Sequence, residues 1–91
     1  MDDKLQEVLL ITQEECAEVS QAISKVFRFG FDGRWPDEIA LTNKEKLEEE
    51  VGDLLAMIDI LIQKAYLSDT FVNAARINKK NKLLKWSKIF E

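Results

Sequence analysis

The chain has 91 residues, 46% hydrophobic and 33% charged, with a net charge of −4. That length supports one domain with one modest core, and the acidic balance argues against a surface built wholly for nucleic acid. With no histidine and one cysteine, Cys16, the sequence excludes a His-based triad, the usual zinc sites, a Glu-x-x-His di-iron motif and an internal disulfide.

Any metal must therefore be held by oxygen ligands, which points to Mg²⁺, Mn²⁺ or Ca²⁺. No apolar run is long enough to span a bilayer. Met1-Asp2-Asp3-Lys4 lacks the basic and apolar regions of a signal peptide. The expected compartment is the cytoplasm, and the lone cysteine agrees with a reducing one.

One proline and three glycines leave few breaks, so the expected fold is all-α: a helical bundle with two long helices. The first helix is predicted over about residues 3 to 28. Leu5, Leu9, Thr12, Cys16, Val19, Ile23 and Val26 recur in steps of four and three and form its apolar seam. At roughly 100° per residue, Glu15 lies about 70° from that seam and Glu18 about 130°. Val8, Ile11, Glu15, Glu18 and Ala22 form a second stripe beside it.

Residues Phe27 to Asp37 break the pattern. Gly30, Gly33 and Pro36 end the helix, and Phe27, Phe29, Phe31 and Trp35 place four aromatics close together among Arg28 and Arg34. Two readings stand side by side. The rings tuck over the end of the bundle, or they form a wall for a flat anionic ligand.

Thr42-Asn43-Lys44-Glu45 is a capping box that opens a second helix, running to about Lys64 or Tyr66. Its seam is Leu47, Val51, Leu54, Ile58, Leu61 and Ala65. Glu50 lies roughly 70° from this seam and Asp53 roughly 130°, in the same rotational sense as the acids of the first helix. Gly52 sits inside this helix, where it allows close approach of a backbone or a ligand. The charges from Lys44 to Glu50 read as a mostly solvated face.

Leu67-Ser68-Asp69-Thr70 is a turn with Ser68 or Asp69 as N-cap. A third helix, continuous or broken and less regular in its apolar spacing, is expected from about 70 to 89. It is basic, with Arg76, Lys79, Lys80, Lys82, Lys85 and Lys88. These either offset acidic neighbours or reach phosphates.

Glu15 with Glu18 and Glu50 with Asp53 are acid pairs three residues apart, which puts each pair on one helix surface. Two such helices side by side gather four carboxylates, and their repulsion is relieved by divalent cations. Such ions neutralise phosphate oxygens and acidify a bound water. The residues thus point to metal-assisted hydrolysis of a phosphoanhydride.

Glu14-Glu15-Cys16-Ala17-Glu18 followed by Glu49-Glu50-Val51-Gly52-Asp53-Leu54-Leu55 resembles the EExxE…ExxD signature of the MazG-like all-α nucleoside triphosphate pyrophosphohydrolases. Ser24 to Gly30 and Lys82 to Ser87 resemble small phage-encoded members. The resemblance implies one domain over residues 1–91. It also implies that Glu15, Glu18, Glu50 and Asp53 bind Mg²⁺, with Mn²⁺ as a substitute, and that a metal-bound water cleaves between the α- and β-phosphates. The products would be a nucleoside monophosphate and pyrophosphate. Glu14 either orients the water or supports the ligands from behind.

Lys25, Arg28, Asn78, Lys79 and Lys82 are candidate phosphate contacts, and Trp35 a candidate base contact. Family members are homodimers or homotetramers, with bundles completed across subunits. The 31 residues between Glu18 and Glu50 are long for the signature, and the extra length is the aromatic loop. Rival readings are a phosphoribosyl-ATP pyrophosphohydrolase, a non-catalytic helical oligomerisation module, and a nucleic-acid adaptor using the basic C-terminus. The last is disfavoured by the charge.

Overall fold

Asp2 starts the first helix. Its side chain accepts a hydrogen bond from the Leu5 N–H at 2.7 Å, which satisfies one of the free amides of a helix N-terminus. In the computed structural model, which describes residues 1–34 and 36–91, this helix, α1, spans Asp3–Phe29. Gly30 closes it with φ +80°, a backbone conformation that glycine adopts without strain. Its N–H donates to the Val26 carbonyl at 2.8 Å.

The capping box forms as read. Thr42 Oγ1 accepts from the Glu45 N–H at 3.1 Å, and the Glu45 carboxylate accepts from the Thr42 N–H at 3.0 Å. It opens α2, Asn43–Gln63. A third helix, α3, covers Asp69–Trp86 without a break. Ser68 is its N-cap, with Oγ accepting from the Phe71 N–H at 3.2 Å. It stops three residues short of the expected end: Ser87 turns extended and its Oγ takes the Ile89 N–H at 3.2 Å, a local bond that competes with helix continuation. Among the described residues there is no strand, only an isolated bridge between Arg34 and Thr42. The architecture is all-α, and no helix in it is long and apolar enough to cross a membrane.

The chain divides into two compact units, Met1–Ile60 and Leu61–Glu91. In the first, α1 and most of α2 form an antiparallel hairpin. Asn43, at the start of α2, donates from Nδ2 to the Gly30 carbonyl at the end of α1 at 3.0 Å. Further along, Glu15 meets Glu50 and Asp53. The linking segment is stapled by Asn43 N–H to Gly33 O at 2.8 Å, Lys44 N–H to Phe31 O at 3.0 Å, and Arg34 Nη1 to Ala40 O at 2.7 Å.

In the second unit, the end of α2 closes in a Schellman motif. Tyr66 N–H donates to Leu61 O and Ala65 N–H to Ile62 O, both at 2.9 Å. Ala65 takes the left-handed conformation, φ 59°, that such a cap demands.

The buried faces differ from the expected seams. On α1 the covered side chains are Leu5, Val8, Ile11, Thr12, Glu15, Val19, Ala22 and Val26, while Leu9, Cys16 and Ile23 are exposed. On α2 the covered set is Asn43, Leu47, Glu50, Leu54, Met57, Ile58, Ile60, Leu61 and Ile62, with Val51 exposed. In α1 the inward face is rotated by roughly 50° from the most apolar seam toward the acids. In α2, Leu47, Leu54, Ile58 and Leu61 of the seam stay covered, and the rotation is roughly 30°. Only Ala22 and Leu61 are buried apolar residues among those described, at 5% and 3% exposure.

Candidate metal centre

The rotation carries three carboxylates together. Glu15 from α1 and Glu50 and Asp53 from α2 each offer an oxygen, and these oxygens lie within 4.8 Å of one another. Glu50 is 7% exposed, Glu15 is half-buried and Asp53 faces solvent.

Glu15 Oε2 is buried and has no hydrogen-bond partner among the described residues. A buried carboxylate oxygen without a partner is rare because the lost hydration is not replaced. Burial is the main cause that holds the Glu15 carboxyl above its ordinary value of 4.5, followed by the charges of Asp53, Glu50, Glu18 and Glu14. The opposing charge at the cluster is Lys46, whose Nζ lies 3.4 Å from Glu50 Oε1 and 3.4 Å from Glu49 Oε1. An all-oxygen donor set with net negative charge and one orphaned oxygen fits a hard divalent cation.

Three recesses continue from the acids along the hairpin. The smallest, about 30 Å³, is lined by Glu18, Gln21, Ala22, Lys25, Lys46 and Glu50. Next comes one of about 220 Å³ between Lys25, Leu41, Asn43 and Lys46. The last, about 460 Å³, is lined by Lys25, Phe29, Gly33, Arg34 and Asn43. Lys25 borders all three.

Of the acids expected to act together, Glu15, Glu50 and Asp53 converge. Glu18 is exposed and stands beside Glu50 in the smallest recess. Glu14 is exposed. The Arg28 guanidinium lies 5.2 Å from the Phe29 ring centre, a cation–π contact. Asn78, Lys79 and Lys82 are exposed on α3 in the second unit. Trp35 lies outside the described residues. Phe27, Phe29 and Phe31 do not tuck under the hairpin's end: all three are exposed, Phe27 at 86%.

Two contributors escaped the sequence reading. Lys46 stands one turn before Glu50, in a run read as solvated face. Its i,i+4 spacing to Glu50 was the available signal. Asn43, 8% exposed, was read only as part of a cap.

The MazG nucleotide pyrophosphohydrolase domain matches residues 3–83. The chain belongs to the MazG family. The match takes in the acid cluster, the linking segment and α3 through Leu83. MazG proteins generally depend on a divalent metal, and the Glu15, Glu50 and Asp53 oxygens supply a donor set of that kind. Among curated proteins and solved structures, none matches this MazG chain.

Proposed function

We propose that this MazG domain is a Mg²⁺-dependent nucleoside triphosphate pyrophosphohydrolase that adds water across the α–β phosphoanhydride and releases a nucleoside monophosphate and pyrophosphate. The carrying observation is the convergence of Glu15, Glu50 and Asp53 with an orphaned Glu15 oxygen. Turning carboxylates inward while Leu9, Ile23 and Val51 stay partly exposed opposes the hydrophobic effect. A bound cation offsets the first cost. When present it supplies charge neutralisation at phosphate oxygens and a more acidic water.

The chain's own residues divide the remaining work. Glu15, Glu50 and Asp53, with Glu18 alongside, hold the cation, with Mn²⁺ as an alternative to Mg²⁺. Glu14 orients the attacking water or supports these ligands. Lys25 meets the polyphosphate, with Arg28 a further candidate beside it; Asn78, Lys79 and Lys82 are the candidate phosphate contacts on α3. The 460 Å³ recess falls within the range of small-ligand pockets and takes the base, with Trp35 as stacking partner. Asn43 Nδ2 is committed to the Gly30 carbonyl, so its oxygen is left to accept an N–H from a base edge.

The second cost, the exposed apolar stripe, is offset by a second copy of the chain. The active form is a homo-oligomer of the whole 91-residue MazG domain, acting in the cytoplasm.

A panel of the eight common NTPs and dNTPs, read for pyrophosphate release with Mg²⁺ and with EDTA, tests the reading. Turnover of at least one nucleotide, abolished by EDTA and restored by Mg²⁺ or Mn²⁺, is expected. No release from any of them, or full activity in EDTA, refutes it; the first outcome leaves a helical oligomerisation module. Light scattering showing a 10.5 kDa species at micromolar concentration refutes the oligomer.

A further inference from the structure

Lys46 occupies a place that no acid-pair signature describes. It stands on α2 one turn before Glu50, and its Nζ lies 3.4 Å from the oxygen of that buried carboxylate. It also borders two recesses, the one it shares with Glu18 and Glu50 and the next one along, toward Leu41 and Asn43. Moving along the hairpin from the acid cluster, the lining therefore changes from carboxylates to two lysines, Lys25 and Lys46, and then to Phe29, Gly33 and Asn43, with Lys25 again and Arg34 beside them.

A metal-bound polyphosphate with a base at its far end has the complementary order. Lys46 is half-exposed and is held by Glu49 and Glu50 alone among the described residues, on a flexible four-carbon stem. It can leave Glu50 without disturbing the helix.

We propose that Lys46 couples metal binding to phosphate binding: its ammonium is the cation at Glu50 while the metal is absent, and it grips a substrate phosphate oxygen once the metal is present. This rests on the metal-dependent reading above. An ammonium beside a ligand oxygen repels an incoming divalent ion, so Lys46 weakens binding of the metal alone. The same charge attracts phosphate, so it strengthens binding of the metal–polyphosphate complex. A residue that merely supports the fold moves both affinities in the same direction.

The test uses the full chain and two probes, Mn²⁺ alone and the preformed Mn²⁺–inorganic triphosphate complex. Neutral Lys46→Met should bind Mn²⁺ alone roughly 3- to 15-fold more tightly, the effect of one unit charge about 5 Å from a divalent ion in solvent with salt screening. It should bind the triphosphate complex roughly tenfold more weakly, the loss of one charge-assisted contact. Lys46→Arg should keep both affinities near wild type. Lys25→Met, which removes a lysine with no ion pair to Glu50, should weaken the triphosphate complex without tightening Mn²⁺.

Circular dichroism checks that Lys46→Met is folded, and Lys46→Gln carries the same expectation if it is not. Unchanged or weaker Mn²⁺ binding in the folded neutral variant overturns the proposal. If wild type binds Mn²⁺ and hydrolyses nucleotide while this result is found, only the role of Lys46 falls. If wild type neither binds Mn²⁺ nor hydrolyses any nucleotide, the enzymatic reading itself has failed.

Discussion

A single added methyl group at Gly52, compared with the same change at Gly33, measures whether the hairpin's local geometry governs its stability. Gly52 lies inside α2 between Glu50 and Asp53, and a Cβ built there meets nothing within 4 Å. Only helix propensity then acts, and alanine is favoured over glycine by about 0.8–1 kcal/mol. For a domain of this size that raises the melting temperature by about 4–8 °C. At Gly33 a Cβ would lie 2.6 Å from the Phe29 carbonyl oxygen and 2.9 Å from Asn43 Nδ2. Neither atom can yield easily: the first is backbone at the end of α1, and the second is tied to the Gly30 carbonyl at 3.0 Å.

Overpacking of that kind costs about 1–3 kcal/mol, so Gly33→Ala should melt several degrees lower. Thermal melts of both variants at one fixed protein concentration give the answer, since self-association makes the melting temperature concentration-dependent. A Gly52→Ala protein that melts below wild type refutes the reasoning and means that something outside the protomer approaches that backbone. A Gly33→Ala protein that melts with wild type refutes the other half.

Glu50→Gln should abolish pyrophosphate release while the metal-free protein melts no lower than wild type, because the change removes one repelling charge and leaves a half-exposed Lys46; wild-type turnover contradicts the site. The Glu45 carboxyl is held below its ordinary value of 4.5 by hydrogen bonds from the Thr42 N–H and hydroxyl. Its contribution is therefore complete above about pH 4.5 and is lost as pH falls through the depressed value. The stability gap between wild type and Glu45→Ala, followed by urea titration, should close on acidification and not on alkalinisation. Ala65→Gly should stabilise by about 1 kcal/mol, because Ala65 holds φ 59° in a region that disfavours a Cβ; a lower urea midpoint contradicts this.

Local chemistry in this chain was legible from the residues. Thr42 with Glu45 makes the expected capping box, Ser68 of the two expected candidates caps α3, and α1 ends at Gly30, the first of the residues expected to end it; the Asp2 cap is equally local but was not read. These features depend on neighbours within a few positions. The choice of inward face was not legible in the same way. Periodicity ranked the Leu9–Cys16–Ile23 side first because it counts apolar side chains, whereas the hairpin buries the side that carries Glu15 and Ala22.

Equal angular offsets also predicted equal roles for the two acid pairs. The rotated face instead brings Glu15 near its centre and leaves Glu18 to one side, while both Glu50 and Asp53 reach the cluster. Where two helices cross is a tertiary quantity, and spacing within each helix does not contain it. The ion pair between Lys46 and Glu50 was hidden for a related reason: its spacing is visible, but the burial of Glu50 is not.

The rotation of α1 and α2 has a practical consequence for anyone who alters this protein. The hairpin holds two competing orientations, one favoured by leucine and isoleucine and one favoured by whatever satisfies the carboxylates. This is local frustration in the sense that two levels of the sequence disagree. Conventional stabilisation would enlarge or add apolar residues along Leu9, Cys16 and Ile23, and each such change would favour the orientation that turns Glu15 away from the buried face. A thermostable variant obtained that way would be a better helical hairpin and a worse metal binder.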